Sequence, residues 1–192
     1  MEKGIILENE KVKLEPLQMS HFNELATISS EHPNLLQHSP SLFGTDENLK
    51  SYIADAIQQR ELGNRFAFAI YDKSNKRFIG SSSYGAISHH DKKLEIGWTW
   101  IDKAVQGSGL NKQVKFLMLD YAFNTLEMER VEFKTDSRNI QSKKALVKIG
   151  ATFEGELRRH MLMPDGFRRT SSYYSILKSE WIEIKKTIFQ DY

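Results

Sequence analysis

The sequence predicts an α/β (mixed α+β) fold, a mostly antiparallel mixed sheet flanked by helices in the order βααβββαβαββα. Residues 65–71 and 77–87 are strand-like runs joined by the turn sequence DKSNK, which indicates an antiparallel hairpin. A strand, a glycine loop and an amphipathic helix occupy residues 93–126 and precede another strand, which indicates a parallel pair with a helical crossover. Pro164-Asp165-Gly166 marks a turn between two late strands.

The first half of the chain supplies one strand and two helices ahead of that hairpin. Residues 11–18 alternate apolar and polar side chains and form the first predicted strand, and residues 21–30 form a helix with a serine before it as cap. Residues 31–44 contain two prolines and are predicted to be a loop. Thr45 can cap the next helix, whose acidic first turn suits the positive helix N-terminus, and Gly63 ends it.

The second half alternates strands with helices. The helices carry apolar residues three and four positions apart, whereas the strands are short runs bounded by turn residues. The predicted elements are a strand over 93–101, a helix over 111–126, a strand over 130–135, a helix over 140–149, strands over 151–163 and 168–177, and a helix over 180–189.

Composition narrows the class of protein. The chain has 192 residues, 40% of them hydrophobic, which fits one domain over residues 1–192. The net charge of +2 gives no strong field, so neither nucleic acid nor a membrane is an expected partner. The absence of cysteine excludes disulfides, zinc thiolates and a cysteine nucleophile. The N-terminus is unlike a secretory signal and no stretch approaches the ~20 apolar residues of a membrane span, so a soluble, cytoplasmic protein is expected.

No metal site is expected. His89-His90-Asp91 is the most suggestive run, but adjacent histidines point to opposite sides of a strand and the sequence offers no further ligand.

The glycine loop is Gln106-Gly107-Ser108-Gly109-Leu110-Asn111. Glycine permits positive φ and close ligand approach, and the helix N-terminus adds partial positive charge, so the loop can bind an anion such as a pyrophosphate. A Walker loop is excluded because no G-x-x-x-x-G-K-[ST] occurs, and Lys112 stands where a Rossmann loop needs its third glycine. A simple tight loop remains the alternative.

Matching segments surround this loop over roughly residues 10–182. They are Leu94-Glu95-Ile96-Gly97-Trp98, Arg130-Val131-Glu132, Asp136-Ser137-Arg138-Asn139, Ser142, Lys148-Ile149-Gly150, Glu154-Gly155-Glu156-Leu157-Arg158, Tyr174-Ser175-Ile176-Leu177 and Trp181. With Gln106 and Gly109 at two fixed positions of an Arg/Gln-x-x-Gly-x-Gly/Ala signature, the set resembles the GNAT superfamily of N-acetyltransferases. It is most similar to the branch with the ribosomal-protein N-terminal alanine acetyltransferases.

The resemblance implies a GNAT-like fold and an enzyme that transfers acetyl directly from acetyl-CoA, its cosubstrate, to a primary amine. Backbone N–H groups at the end of the strand over 93–101 are expected to hold the acetyl carbonyl and pantetheine, and the glycine loop is expected to hold the pyrophosphate. The expected donor-binding residues are Trp100, Ile101, Gln106, Gly107, Ser108, Gly109, Leu110, Asn111, Lys112, Asn139 and Ser142.

Two residues are candidates for proton transfer. Glu95 is the candidate base, because the attacking amine must lose its proton; the alternative is a carboxylate that is exposed or paired with Lys93 or a neighbouring strand. Ser142 is the candidate acid for the leaving thiolate; the alternative is that Asn139 and Ser142 only cap and open a helix. Many relatives carry a tyrosine as acid at the position of Leu146.

Alternation assigns the strand residues to faces. Glu95, Gly97 and Thr99 are expected on one face, and Leu94, Ile96, Trp98 and Trp100 on a core-like opposite face. Asn111 departs from the family's Gly/Ala, and its side chain is expected to be able to cap the helix.

The acceptor is the open question. A protein or peptide N-terminus is the first expectation, with a small amine (polyamine, amino acid or antibiotic) or a non-catalytic acyl-CoA-binding protein as alternatives. The loop over 31–44 and the hairpin over 158–169 are expected to border the acceptor cleft. The basic cluster of that hairpin is expected to be solvated, or else to face an acidic acceptor or rRNA: Arg158, Arg159, His160, Arg168 and Arg169. A monomer and a homodimer are both compatible with the resemblance.

Overall fold

An eight-stranded sheet forms the centre of the computed structural model, which describes residues 2–190 and Tyr192. The strands lie in the order β1-β2-β3-β4-β5-β6-β8-β7, and every neighbouring pair is antiparallel except β5 and β6. Their bounds are β1 Leu7–Glu8, β2 Val12–Pro16, β3 Arg65–Asp72, β4 Arg77–Ser88, β5 Lys93–Ile101, β6 Arg130–Asp136, β7 Thr152–Leu162 and β8 Arg168–Leu177.

Five α-helices pack on this sheet: α1 Phe22–Glu31, α2 Asp46–Glu61, α3 Leu110–Asp120, α4 Ile140–Lys148 and α5 Lys178–Thr187. A π-helical segment, Tyr121–Thr125, prolongs α3, and a 3₁₀ turn, Pro33–Leu36, lies inside the predicted loop over 31–44. Thr45 caps α2 by accepting from the Asn48 N–H at 3.2 Å. Within residues 2–190, no helix is long and apolar enough to cross a lipid bilayer.

The predicted fold class is confirmed, including the β3–β4 hairpin and the parallel β5–β6 pair joined by α3. The predicted order lacks β1, because a strand of two residues leaves no periodic pattern in the sequence.

Each face of the sheet carries its own apolar cluster. Along β3, Phe66, Phe68 and Ile70 point to the cluster that α3 and α5 cover. Ala67 and Ala69 point to the cluster with α1 and α2, where their small side chains let the helices approach. Because successive side chains of a strand point to opposite faces, β3 contributes residues to both apolar clusters.

The predicted faces of β5 are wrong beyond Gly97. Ser83 pairs with Gly97 but Ser81 pairs with Trp100, so β5 contains one extra residue here, a β-bulge in which Trp98 has a φ of 51°. Leu94 and Ile96 stay in the α3-side core, as expected. Trp100 instead joins the α1/α2 cluster, because the extra residue reverses the alternation, and Trp98 is only half-buried.

Candidate active site

A cleft opens in the sheet where β5 and β6 separate. Their parallel pairing covers three residue pairs and ends at Glu95 and Glu132, although the strands continue to Ile101 and Asp136. Beyond this point the backbone of β5 has no ladder partner in β6. The starts of α3 and α4 follow the diverging ends of β5 and β6, so both helix N-termini belong to this edge of the sheet.

The glycine loop presents backbone donors at the start of α3. Gly107 and Gly109 have φ of 82° and 90°, values that L side chains rarely adopt, and Gly109 is the N-cap residue. Among residues 2–190, no hydrogen-bond acceptor faces the N–H groups of Gly107, Gly109 or Asn111. Exposed glycines, free N–H groups and a helix N-terminus fit a pyrophosphate anion.

The polar side chains of the loop maintain its shape. Gln106 donates from Nε2 to the Ile101 carbonyl at 3.0 Å and accepts from Gln141 at 3.0 Å, which connects the end of β5 to α4. Ser108 Oγ donates to the Val105 carbonyl at 2.6 Å. These side chains are already hydrogen-bonded within the protein, so a pyrophosphate bound by the loop would contact mainly the backbone.

The expected cap by Asn111 is wrong. Gly109 is the N-cap, so Asn111 lies inside the first turn of α3, where its Oδ1 is buried without a hydrogen-bond partner in the described part of the chain. Lys112, a candidate phosphate ligand, has its Nζ 5.0 Å from the centre of the Tyr192 ring and 5.5 Å from that of Phe189.

The start of α4 carries the two remaining residues that are expected to bind acetyl-CoA, Asn139 and Ser142. Asn139 is the N-cap, and its Oδ1 accepts from the Ser142 N–H at 3.0 Å. The capping interpretation therefore holds, while capping leaves the Ser142 hydroxyl half-buried and without a partner among residues 2–190. Leu146 is 7% exposed and packs in the α3-side core, so an apolar contact replaces the family tyrosine.

Glu95 lies at the apex of the cleft. It is 5% exposed, and its Oε2 accepts from Lys134 Nζ on β6 at 3.0 Å. The carboxylate is therefore paired with a neighbouring strand, which is one of the alternatives that the sequence left open to a catalytic role. It is neither exposed nor bound to Lys93, which pairs with Glu132 at 3.5 Å instead. A side chain at Gly97 would place a Cβ 2.8 Å from Glu95 Oε1, so the glycine makes room for this carboxylate.

The basic hairpin is only partly solvated. Arg158, Arg159, His160 and Arg168 are exposed as expected, but Arg169 is 4% exposed, so the expectation is wrong for this residue. Its Nη1 donates to the His38 carbonyl in the loop over 31–44, and its Nε donates to Ser171 Oγ at 3.2 Å. His160 Nδ1 lies 3.1 Å from the same hydroxyl. The bond from Arg169 to His38 joins the hairpin to the loop, while their place at an acceptor cleft stays a prediction.

A second carboxylate near Arg169 is fully engaged. Asp136 is completely buried and accepts from Arg138 Nε at 3.0 Å and Nη2 at 2.7 Å. Burial opposes ionisation, but the hydrogen bonds from Arg138 hold the pKa of Asp136 below its ordinary value. The partial desolvation of the His160 ring, assisted by the charges of Lys134 and Arg169, lowers its pKa below the ordinary value.

Sequence reasoning missed Lys134, Asp136 and His38 as neighbours of the cleft. The alternation of β6 places Lys134 and Asp136 on one face with Glu132, a signal that was available once β6 had been aligned with β5. The position of His38 depends on the fold of an irregular loop, for which no periodic signal exists.

Lys115 on α3 was also missed. It is 6% exposed, and its Nζ donates to Ser82 Oγ at 3.2 Å and Thr99 Oγ1 at 2.7 Å, inside the sheet next to the β5 bulge. Burial lowers the pKa of Lys115 to about 7. The available signal was its position one turn before Met118 and Leu119 on the apolar face of the helix.

The profile of the acetyltransferase (GNAT) domain family matches residues 11–152. The chain belongs to the GNAT acetyltransferase family. It is an N-acetyltransferase, and the family uses acetyl-CoA as donor and an amine as acceptor. Its relatives include ribosomal-protein acetyltransferases.

Three relatives and one solved structure illustrate the breadth of the family. "Probable N-acetyltransferase YjcK" of Bacillus subtilis is 25% identical over 81% of this chain and 88% of its own length. "Putative ribosomal N-acetyltransferase YdaF" of the same organism is 32% identical over 65% of each chain. Spermidine N(1)-acetyltransferase of Escherichia coli is 26% identical over 66% of this chain and 72% of its own. The crystal structure of a GCN5-related N-acetyltransferase from Brucella melitensis superposes with a TM-score of 0.91 at 25% identity, covering 99% of this chain and 86% of that one.

Proposed function

We propose that this GNAT enzyme transfers acetyl from acetyl-CoA directly to the α-amino group of a protein or peptide N-terminus. The observation that carries the proposal is the state of the carboxylates beside the cleft. Glu95 accepts from Lys134 through Oε2 and Asp136 accepts from Arg138 through both oxygens, so both carboxylate charges are already balanced. Of these carboxylate oxygens, only Glu95 Oε1 has no hydrogen bond within residues 2–190, which leaves a place for one ammonium but not for the several charges of a polycation. A polyamine needs free counter-ions, whereas a peptide N-terminus brings a single positive charge. The 32% identity to the relative named a ribosomal N-acetyltransferase agrees with this choice.

Binding of acetyl-CoA is assigned to the glycine loop and to the edges of the cleft. The N–H groups of Gly107, Gly109 and Asn111 bind the pyrophosphate, assisted by the partial positive charge of α3. Backbone N–H groups at Trp100 and Ile101 hold the acetyl carbonyl and pantetheine, and Asn139 contacts the pantetheine amides. When bound, acetyl-CoA supplies a thioester that an amine can attack.

The proton transfers are assigned to Glu95 and Ser142. Glu95 takes the proton of the acceptor ammonium, directly or through a water molecule, and Lys134 holds the carboxylate in place. The neutral amine attacks the thioester carbonyl, the C–S bond breaks, and the Ser142 hydroxyl gives its proton to the leaving thiolate. The nitrogen loses its second proton as the amide forms, and this proton returns through water to Ser142, so the products are the acetylated amine and free CoA. The missing tyrosine at Leu146 makes this hydroxyl the nearest equivalent on α4.

An acceptor panel tests the proposal. Acetyl-CoA is mixed with peptides that have a free N-terminus, with the same peptides blocked at the N-terminus, with spermidine and with free amino acids, and the release of CoA is followed. We expect turnover of the free peptides, its loss on blocking, and slower reaction with spermidine. Faster reaction with spermidine, or no reaction with any peptide, would contradict the assigned acceptor.

We further propose that residues 1–192 act as one domain in the cytoplasm, as a monomer or a homodimer. The support is the chain's length, its absence of cysteine and its small net charge of +2.

A further inference from the structure

Arg169 is a buried cation that lacks a counter-ion. It is 4% exposed, and its two hydrogen bonds go to neutral oxygens, the His38 carbonyl and the Ser171 hydroxyl. Among residues 2–190, no carboxylate lies within salt-bridge distance of its guanidinium, and Nη2 makes no hydrogen bond. Burying an arginine in this way is unfavourable unless something else compensates its charge.

The charges around Arg169 do not provide that compensation. Asp136 and Glu95 are the carboxylates whose charges act on Arg169, but Asp136 is already paired with Arg138 and Glu95 with Lys134. These five groups together carry one positive charge in excess. Burial lowers the pKa of Arg169, as expected for a cation without a carboxylate in contact.

A second unpaired polar group lies at the same place. His38 Nδ1 is buried, has no hydrogen-bond partner in the described part of the chain, and lies 4.0 Å from Asp136 Oδ2. The backbone carbonyl of the same residue accepts from Arg169, and the charge of Asp136, 4.0 Å from the imidazole, also acts on Arg169. Two groups that can donate hydrogen bonds thus converge on the acceptor side of the cleft.

We propose that the acceptor carries a carboxylate close to its reacting amine, and that Arg169, with His38 beside it, binds this carboxylate. The inference rests on the proposed function, since it specifies the acceptor of the same site. A guanidinium binds a carboxylate through two parallel N–H donors, and Nη2 is one such donor without a partner. The carboxylate can be an acidic side chain near a peptide N-terminus or the α-carboxylate of a free amino acid.

The test compares acceptors that differ in one carboxylate. Peptides with Glu at position one, two or three are assayed against the same peptides with Gln, and free glutamate is the third arm. Each is measured with the wild type, Arg169→Met, Arg169→Lys and Arg168→Met. Arg168 is the matched control because it is the exposed neighbour of Arg169 on β8. Stabilisation by acetyl-CoA in a melting experiment verifies that every variant folds and binds the donor.

We expect the best Glu peptide to exceed its Gln partner in kcat/KM by at least about tenfold in the wild type, mostly through KM. The preference disappears in Arg169→Met, shrinks in Arg169→Lys, which keeps the charge but loses the fork, and persists in Arg168→Met. If Arg169→Met does not fold, the proposal is tested by the Glu-to-Gln ratio of kcat/KM in the wild type and by its decrease in Arg169→Lys.

The outcomes separate the two proposals. Rapid turnover of peptides with a Glu-to-Gln ratio near one in the wild type overturns the role of Arg169 and leaves the proposed function intact. A preference that survives unchanged in Arg169→Lys and Arg169→Met also overturns it. Free glutamate as a far better substrate than any peptide refutes the N-terminal acceptor but supports the carboxylate site, provided that Arg169→Met abolishes the advantage.

Discussion

Replacing the buried Lys115 with methionine should raise the stability of the protein, and the gain should depend on pH. The Lys115 ammonium lies inside the sheet with two hydroxyl acceptors and no carboxylate. Methionine has a similar length and no charge, and the Ser82 and Thr99 hydroxyls still bond each other at 2.8 Å. The substitution therefore removes the buried charge without leaving either hydroxyl unpaired.

The magnitude follows from the change in pKa. Burial lowers the pKa of Lys115 from 10.5 to about 7. At 1.36 kcal/mol for each tenfold change, this corresponds to a cost of about 5 kcal/mol for burying the ammonium. The two lost hydrogen bonds offset the gain by about 1 kcal/mol each, so a net gain of a few kcal/mol is expected at about pH 6.

The pH dependence has a definite sign. Below about pH 7 the lysine is protonated in both the folded and unfolded states, so the full cost is present. Between about pH 7 and 10.5 the unfolded chain binds more protons than the folded one, so the wild-type free energy of unfolding rises with pH across this window. The advantage of Lys115→Met should therefore shrink by about 1.4 kcal/mol per pH unit above about pH 7 and vanish near about pH 9. At higher pH the sign should reverse, because only the loss of the two hydrogen bonds remains.

Urea unfolding, followed by tryptophan fluorescence from about pH 6 to about pH 10, measures this difference. Lys186→Met on α5 is the control, because Lys186 is exposed and its replacement should change stability little at any pH. An equal stability difference at both ends of the pH range would refute the reasoning, since it would mean that Lys115 stays charged in the folded protein.

Three further substitutions test the site. Glu95→Gln should lower kcat about a hundredfold near neutral pH and recover activity at high pH, where the amine deprotonates unaided; equal rates at neutral pH would discard Glu95 as base. Gly97→Ala places a Cβ 2.8 Å from Glu95 Oε1, so kcat should fall severalfold while calorimetric binding of acetyl-CoA is retained; an unaltered kcat would count against it. Gly109→Ala forces alanine to a φ of 90°, and acetyl-CoA affinity should drop severalfold, whereas Gly63→Ala, with a φ of 77° in the turn after α2, should leave it unchanged.

Much of the fold can be predicted from local pattern. The hairpin of β3 and β4, the turn at Pro164 and the helices were predictable because periodicity and turn residues act over a few positions. The loop at 106–111 was predictable for the same reason, since its glycines and the helix after it are contiguous.

The errors arise where tertiary contacts override the local pattern. Trp100 changes faces because the ladder between β4 and β5 accommodates one extra residue, which is a property of two strands together. Arg169 is buried because the loop over 31–44 folds across it, and Asn111 fails to cap because the helix begins two residues earlier. None of these outcomes is encoded in the neighbouring residues alone.

The most direct test of the donor site is hydrogen exchange of the backbone amides with and without acetyl-CoA, read on the millisecond-to-minute scale. The account predicts slower exchange in three segments that meet at the cleft: residues 96–101 of β5, the loop at 106–111, and the start of α4 at 139–143. Exchange in β2 and β3, on the far side of the sheet, should stay unchanged. Protection elsewhere, with none in the loop at 106–111, would contradict the assignment of that loop as the acetyl-CoA site.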